Sequence, residues 1–268
     1  MNNLKPGQSL DNATWDDASE KVTSFKGSKG HLNESVMRQI LSSYSPHERE
    51  MRRYGRPSIG SGLIFPINEE NLMVDPIHIE DHWPRIAAID FGWDHPTAVV
   101  WGAIDRDEET FYVYDCYRMS KASPSVHAQT IRGRPHFIPI AYPHDGNRRD
   151  SMGNPGLADQ YRNLGCNLML DHFTNPPPLG ENKGGNSIEE GLMAMIQVME
   201  NGKFKVFSTL PDWFEEFRMY HRKGGKVVAL RDDLMSATRY AFQSQRFAVS
   251  GKDPTWTKDI KYRNYGII

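Results

Sequence analysis

The chain has 268 residues, 32 basic and 34 acidic side chains, and a formal charge of −2; at about 150 residues per domain that is one to two domains. It is long enough to bury a core without covalent staples, and its two cysteines, Cys116 and Cys166, without CxxC spacing, support neither a disulfide framework nor a structural zinc. No apolar run nears the roughly 20 residues that cross a bilayer, the first residues lack a signal peptide's hydrophobic region, and near-neutral charge leaves any attraction to nucleic acid to local basic clusters.

A soluble protein of a reducing cytoplasm, with no membrane partner, is therefore expected. The apolar share of 38% is low for a compact chain, while 11% aromatic residues argue against wholesale disorder, so part of the chain reads as linker or tail.

Residues 1–84 read as a linker region without a core of its own. Leu32, Val36, Ile40 and Leu41 at helical spacing predict a helix over 32–44, followed by a charged run from His47 to Arg53. Gly60, Gly62, Pro66 and Pro76 then punctuate a connector with one short strand, Leu63 to Phe65.

From Arg85 the pattern changes to strands. Ile86-Ala87-Ala88-Ile89 suits a strand buried on both faces and ends at Asp90-Phe91-Gly92. Thr97 to Ile104 and Phe111 to Tyr117, joined by the polar turn 105–109, predict three strands in antiparallel succession.

Ser123 and Pro124 open a helix reaching Arg132, and Phe137 to Ala141 reads as a strand running to His144-Asp145-Gly146, with Pro139 inside it as a warning. Leu157 to Leu164 is a helix closed by Gly165, and Asn167 to Leu170 a further strand. A Pro- and Gly-rich loop follows, from Asp171 to Asn186.

Ser187 with Glu190 forms a capping box for a helix through Glu200. Lys203 to Phe207 alternates as a strand, Pro211 starts a helix with Trp213, Phe214 and Phe217 on its core side, and Asp232-Asp233 opens a last helix through Phe247. Met193, Met195 and Met199 read as core filler, and residues 251–268 as a flexible tail.

Asp90 and Asp145 each stand beyond an apolar strand, and Asp233 at a helix start. If the two strands are neighbours, their carboxyl ends bring these acids into one crevice, where open α/β sheets bind ligands. Crowded carboxylates repel unless protons or cations intervene, and hard oxygen donors suit Mg²⁺ or Mn²⁺. Two such ions cleave phosphodiesters without an organic cofactor. The same acids also suit Asx-turns and a helix cap, and pattern alone does not choose between the two.

Asp90-Phe91-Gly92 with His95-Pro96-Thr97-Ala98, then Tyr142-Pro143-His144-Asp145-Gly146, then the run from Asp232 to Ala241 resemble, in order and separation, the nuclease domain of the large terminase subunit of tailed double-stranded DNA bacteriophages. Upstream, Thr14 to Ala18, Pro46 to Glu50 and Gly60 to Pro66 are similar to the segment joining that family's ATPase motor to its nuclease.

The resemblance, from about Thr14 to Phe247, implies an α/β, ribonuclease H-like mixed sheet flanked by helices over 85–250. It implies Asp90, Asp145 and Asp233 as catalytic metal ligands for two Mg²⁺ or Mn²⁺ ions, with Asp232 as a neighbour of which only one can point straight into the site. It also implies an endonuclease that cuts concatemeric double-stranded DNA when packaging starts and ends, with the ATPase domain, the small terminase subunit and the portal as partners. Its place would be the host cell cytoplasm and, transiently, the portal vertex of the procapsid.

The chain departs from full-length members in one respect: it carries no GxxxxGK[ST] loop, since Gly27-Ser28-Lys29-Gly30 lacks the spacing. No nucleotide site and no DNA translocation by this chain alone are expected, and residues 1–84 would then be the remnant of the ATPase domain's end.

Arg148 and Arg149 after Asp145, and Lys226 within the basic set Arg218, Arg222, Lys223 and Lys226, are candidate phosphate contacts, though each also reads as solvated surface. His144 reads as packed beside the site rather than as a ligand, and Asp94 as a turn residue. The rivals are a ribonuclease H-like resolvase or transposase nuclease and a non-catalytic docking module of the packaging complex. The Asp-Phe-Gly of a protein kinase does not fit, because no His-Arg-Asp loop precedes it.

Overall fold

A computed structural model describes residues 33–42, 62–148, 155–177, 180 and 184–251. The expectations for Thr14 to Ala18, Pro46 to Glu50, Arg149 and the tail beyond Gly251 lie outside the described residues. The contacts divide the chain into two units, Met1–Asn68 with Phe217–Ala229, and Glu69–Glu216 with Leu230–Ile268.

In the larger unit, strands β1 (Met73–Val74), β2 (Arg85–Asp90), β3 (Thr97–Asp105), β4 (Thr110–Met119), β5 (Ile140–Ala141) and β6 (Phe204–Phe207) form one sheet in the order β1-β6-β4-β3-β2-β5. The β2-β3-β4 meander is antiparallel, while β2–β5, β4–β6 and β1–β6 pair in parallel. β1 and the buried Leu72 belong to this unit, so the sheet begins before residue 85.

The continuous apolar run of β2 buries both faces of the strand. Ala87 and Ile89 pack with Val99, Trp101, Ala128, Ile131, Ala158 and Tyr161, where helices α3 (Pro124–Arg132) and α4 (Leu157–Asn163) lie. Successive strand residues alternate faces, so Ile86, Ala88 and Asp90 turn to the opposite side. That side is covered by the last helix, α7 (Asp233–Gln243). There Phe111, Phe204 and Phe242 meet with centroids 5.5–6.0 Å apart, each pair adding about 0.5–1.5 kcal/mol beyond area burial. The buried Trp213 indole donates to Thr238 Oγ1 at 2.8 Å, tying α6 (Pro211–Met219) to α7.

Several elements differ from the sequence reading. The strand over 137–141 shrinks to two residues: Pro139 has no N–H to donate, and its carbonyl instead accepts from Ala87 at 2.9 Å. Of the strand over 167–170 only a bridge at Leu168 forms, and of Leu63 to Phe65 only a bridge from Leu63 to His221. The last helix ends at Gln243, and a 3-10 turn covers Gln245–Phe247.

Helix α5 (Ile188–Glu200) is capped by Ser187 accepting from the Glu190 amide, but the Glu190 carboxylate bonds Asn175 rather than closing the box. On it Met195 and Met199 are buried while Met193 is 63% exposed, so Met193 is surface and not core filler. Among the described residues, no helix is long and apolar enough to cross a membrane.

In the smaller unit, helix α1 (Glu34–Ser42) follows Asn33, whose side chain accepts from the Ser35 amide; α2 (Glu69–Leu72) opens the larger unit. Phe65 stacks on Phe217 at 5.6 Å and meets Tyr220 at 5.7 Å. The hairpin of β7 (Arg222–Lys223) and β8 (Lys226–Val227) turns through Gly224 and Gly225, both at positive φ, as a two-residue hairpin loop requires.

Candidate metal centre

Asp90 ends β2, and the chain turns sharply after it. The Gly92 amide donates to Thr97 Oγ1 at 3.2 Å, and that hydroxyl donates back to the Gly92 carbonyl at 2.9 Å. A Cβ on Gly92 would stand 2.4 Å from the His95 carbonyl oxygen and 2.6 Å from that of Pro96. Both obstacles are backbone, so Gly92→Ala is expected to lower stability by about 1–3 kcal/mol, readable as a fall in the midpoint of denaturant unfolding.

Phe91, pointing opposite to Asp90, packs on Tyr161 at 5.4 Å and Tyr142 at 6.4 Å. A side chain on Gly146 would strike both the Phe91 and Tyr142 rings. Gly146 therefore lets the segment bearing Asp145 close onto the turn bearing Asp90.

Asp145 lies in a 3-10 turn, His144–Asn147, following β5. In that turn, not a strand, His144 is exposed rather than packed and faces His172 at 6.4 Å. Beside Asp145 opens a cavity of about 270 Å³ walled by Phe91, Trp93, Pro124, Leu157 and Tyr161; Trp93 is 59% exposed.

Asp233 begins α7 and is buried, and its Oδ2 finds no hydrogen-bond partner among the described residues. Asp232 holds the N-cap position without a capping bond from its side chain.

These acids act on one another. Burial first, and then the charges of Asp233, Asp232 and Asp145, raise the Asp90 carboxyl well above its ordinary value, with Arg239 opposing. Burial also raises Asp232, with the Asp233 charge adding to it, and raises Asp233; the charge of His95 opposes both shifts.

The charges of Asp145, Asp232 and Asp233, from two other stretches of chain, thus reach Asp90. These acids form no finished cage: among the described residues no three His, Cys, Asp or Glu side chains stand as a group able to hold an ion. The donor set nevertheless fits a hard divalent cation, being all carboxylate, repulsive when empty and supplied with an orphaned buried oxygen.

Arg148 is exposed directly after the Asp145 turn, its amide donating to the Asp145 carbonyl at 2.9 Å. Lys226 lies on β8 of the smaller unit, and Asp94 is exposed in the loop after Asp90. Arg239, Arg118 and Glu216 have no place among the residues that the sequence pattern marks. Arg239 is buried, with its guanidinium over Tyr240 at 4.7 Å and Phe173 at 5.3 Å. Its spacing of seven from Asp232, two turns along one helix face, was the available signal.

A mixed sheet in this strand order, flanked by helices on both faces, is the ribonuclease H-like architecture. The terminase RNaseH-like domain family matches residues 87–245, and the chain belongs to that family. It is 38% identical over 232 residues to the terminase large subunit of Salmonella phage P22, covering 86% of this chain and 45% of that protein. With the terminase large subunit of Enterobacteria phage LP7 it shares 39% identity over 213 residues, or 79% of this chain and 44% of the relative. It therefore spans less than half the length of these curated relatives. The P22 large terminase nuclease domain superposes with a TM-score of 0.65 at 38% identity, over 71% of this chain and 96% of that structure.

Proposed function

We propose that this chain is a divalent-metal-dependent endodeoxyribonuclease of a phage genome-packaging motor, cutting concatemeric double-stranded DNA at the start and end of packaging. Asp90, Asp145 and Asp233 would hold Mg²⁺ or Mn²⁺, two ions being expected, with Asp232 beside them. Bound there, the ions supply an activated water and stabilise charge on the leaving oxygen.

The protein's own part is to hold that oxygen-donor set in place. The end of β2 fixes Asp90 in the sheet, the Gly92 turn and Phe91 anchor it, and α7 presents Asp233 from the covering layer. Exposed Arg148, beside Asp145, is suited to a DNA phosphate, giving affinity without base readout; Arg149 and Lys226 remain candidates for the same task. An ATPase domain, a small terminase subunit and the portal are the partners proposed, with the procapsid's portal vertex in the host cytoplasm as the place of action.

The observation that carries this reading is the partnerless buried oxygen of Asp233 at the start of the helix that covers the strand ending in Asp90. The test is cleavage of supercoiled plasmid. Nicked and linear products are expected with Mn²⁺ or Mg²⁺ and none with EDTA, and the rate should fall steeply as salt rises, because phosphate contacts release counterions. Cleavage that survives chelation overturns the metal reading. DNA binding without cleavage under any divalent ion would mark a docking module instead.

A further inference from the structure

Helix α7 starts at the acid pair, and its start is built unusually. The first amides of a helix lack intrahelical partners, and an aspartate at the N-cap ordinarily accepts from one of them. Asp232 occupies that position and makes no such bond. The Leu234 amide donates instead, at 2.6 Å, to Oε2 of Glu216, a fully buried carboxylate on α6.

The other oxygen of Glu216 accepts from Arg118 Nη1 at 2.9 Å. Arg118, on β4, also donates through Nη2 to Glu215 Oε2 at 2.6 Å and to Asp212 Oδ1 at 2.9 Å. Glu215 in turn accepts from Arg231 Nη1 at 2.9 Å. Arg231 immediately precedes Asp232 and stands at φ +54, in the left-handed region that a non-glycine residue rarely adopts. Two neighbouring glutamates of α6, clamped by one arginine, therefore grip the chain just before and just after Asp232-Asp233.

We propose that Glu216, held by Arg118, is a positioning residue for the candidate metal-binding acids. It takes the Leu234 amide that a capping Asp232 would otherwise serve, so that neither acid's carboxylate is drawn to that amide and both stay available to cations. This rests on the metal reading above and deepens it. The fork geometry of Arg118 is essential to the arrangement, because an arginine can hold several carboxylates at fixed angles where a lysine cannot. Burial alone would make Glu216 costly; its two charge-assisted or amide hydrogen bonds offset that cost.

The test measures Mn²⁺ uptake by the full chain without DNA, from loss of the free-ion electron paramagnetic resonance signal, alongside thermal unfolding. Glu216→Ala is expected to weaken Mn²⁺ binding about 10–100-fold, the usual effect of removing a group that orients a metal ligand. Glu216→Gln keeps an acceptor oxygen for the Leu234 amide and should recover most of that affinity, even where its melting temperature remains lowered. A purely structural ion pair would lower the melting temperature of Glu216→Ala and leave its Mn²⁺ affinity at the wild-type value, which would overturn the proposal. Should Glu216→Ala not fold, Arg118→Lys carries the same test: weakened uptake supports the bracket and unchanged uptake overturns it. A wild-type chain that takes up no Mn²⁺ overturns the metal reading and the bracket with it, whereas unchanged uptake by the variants overturns the bracket alone.

Discussion

Asp90→Asn is expected to reduce metal-dependent DNA cleavage by about 10³-fold or more, equivalent to roughly 4 kcal/mol of barrier, while raising the melting temperature of the metal-free chain. The two effects have one cause. Asp90 stands among Asp233, Asp232 and Asp145, and both burial and their charges work against its ionisation. An amide of the same shape removes the repulsion and also removes an anionic oxygen from the proposed cation site. Most substitutions of half-buried residues destabilise, so a higher melting temperature paired with lost cleavage is a distinctive result. A variant that still linearises plasmid at the wild-type rate would remove Asp90 from the mechanism. One that loses activity by unfolding would show that the carboxylate stabilises the chain.

Mn²⁺ should stabilise the protein at neutral pH and scarcely at all in acid. Asp90, Asp232 and Asp233 all have raised carboxyls in the folded chain, so the native state binds more protons than the unfolded one between the ordinary and the raised values. Their contribution to stability is then fully present below about pH 4 and is lost as pH rises through the folded values. In the proposed metal centre, divalent ions would take the place of the lost protons. At pH near 7.5 and about 100 times its dissociation constant, Mn²⁺ should add roughly 2.7 kcal/mol, or about 5–10 °C in melting temperature. Near pH 4 the protons occupy the same oxygens and the shift should nearly vanish. Scanning calorimetry at both pH values checks this, and equal shifts at the two would break the link between these carboxyls and the ion.

The sequence made the meander legible because its signals are local. Ile86 to Ile89 is apolar on both faces, the turn over 105–109 is polar, and Gly165 and Gly202 close helices at positive φ as their positions predict. Local pattern singles out Asp90, Asp145 and Asp233 for the same reason, each standing at the junction of two elements. What local pattern did not carry was partnership across the chain. Met73–Val74 is too short to show a period, yet it completes the sheet against β6. The residue type of Pro139 gave warning of a shortened strand, but not that Asp145 would follow in a 3-10 turn. Nothing in the spacing of Asp212, Glu215 and Glu216 tells that all three reach Arg118, nor that one of them would serve a helix beginning far downstream.

The sheet order has a bearing on how the protein comes into being. Its edge strand β1 waits for β6, and Asp90 and Asp145 wait for the helix that begins at Asp233. Pairings so distant along the chain form late. During synthesis the ribosome releases Asp90 and Asp145 well before the last helix, so a nascent chain carries an incomplete acid set until translation has passed α7. Incomplete products of translation would accordingly lack the acid that α7 contributes.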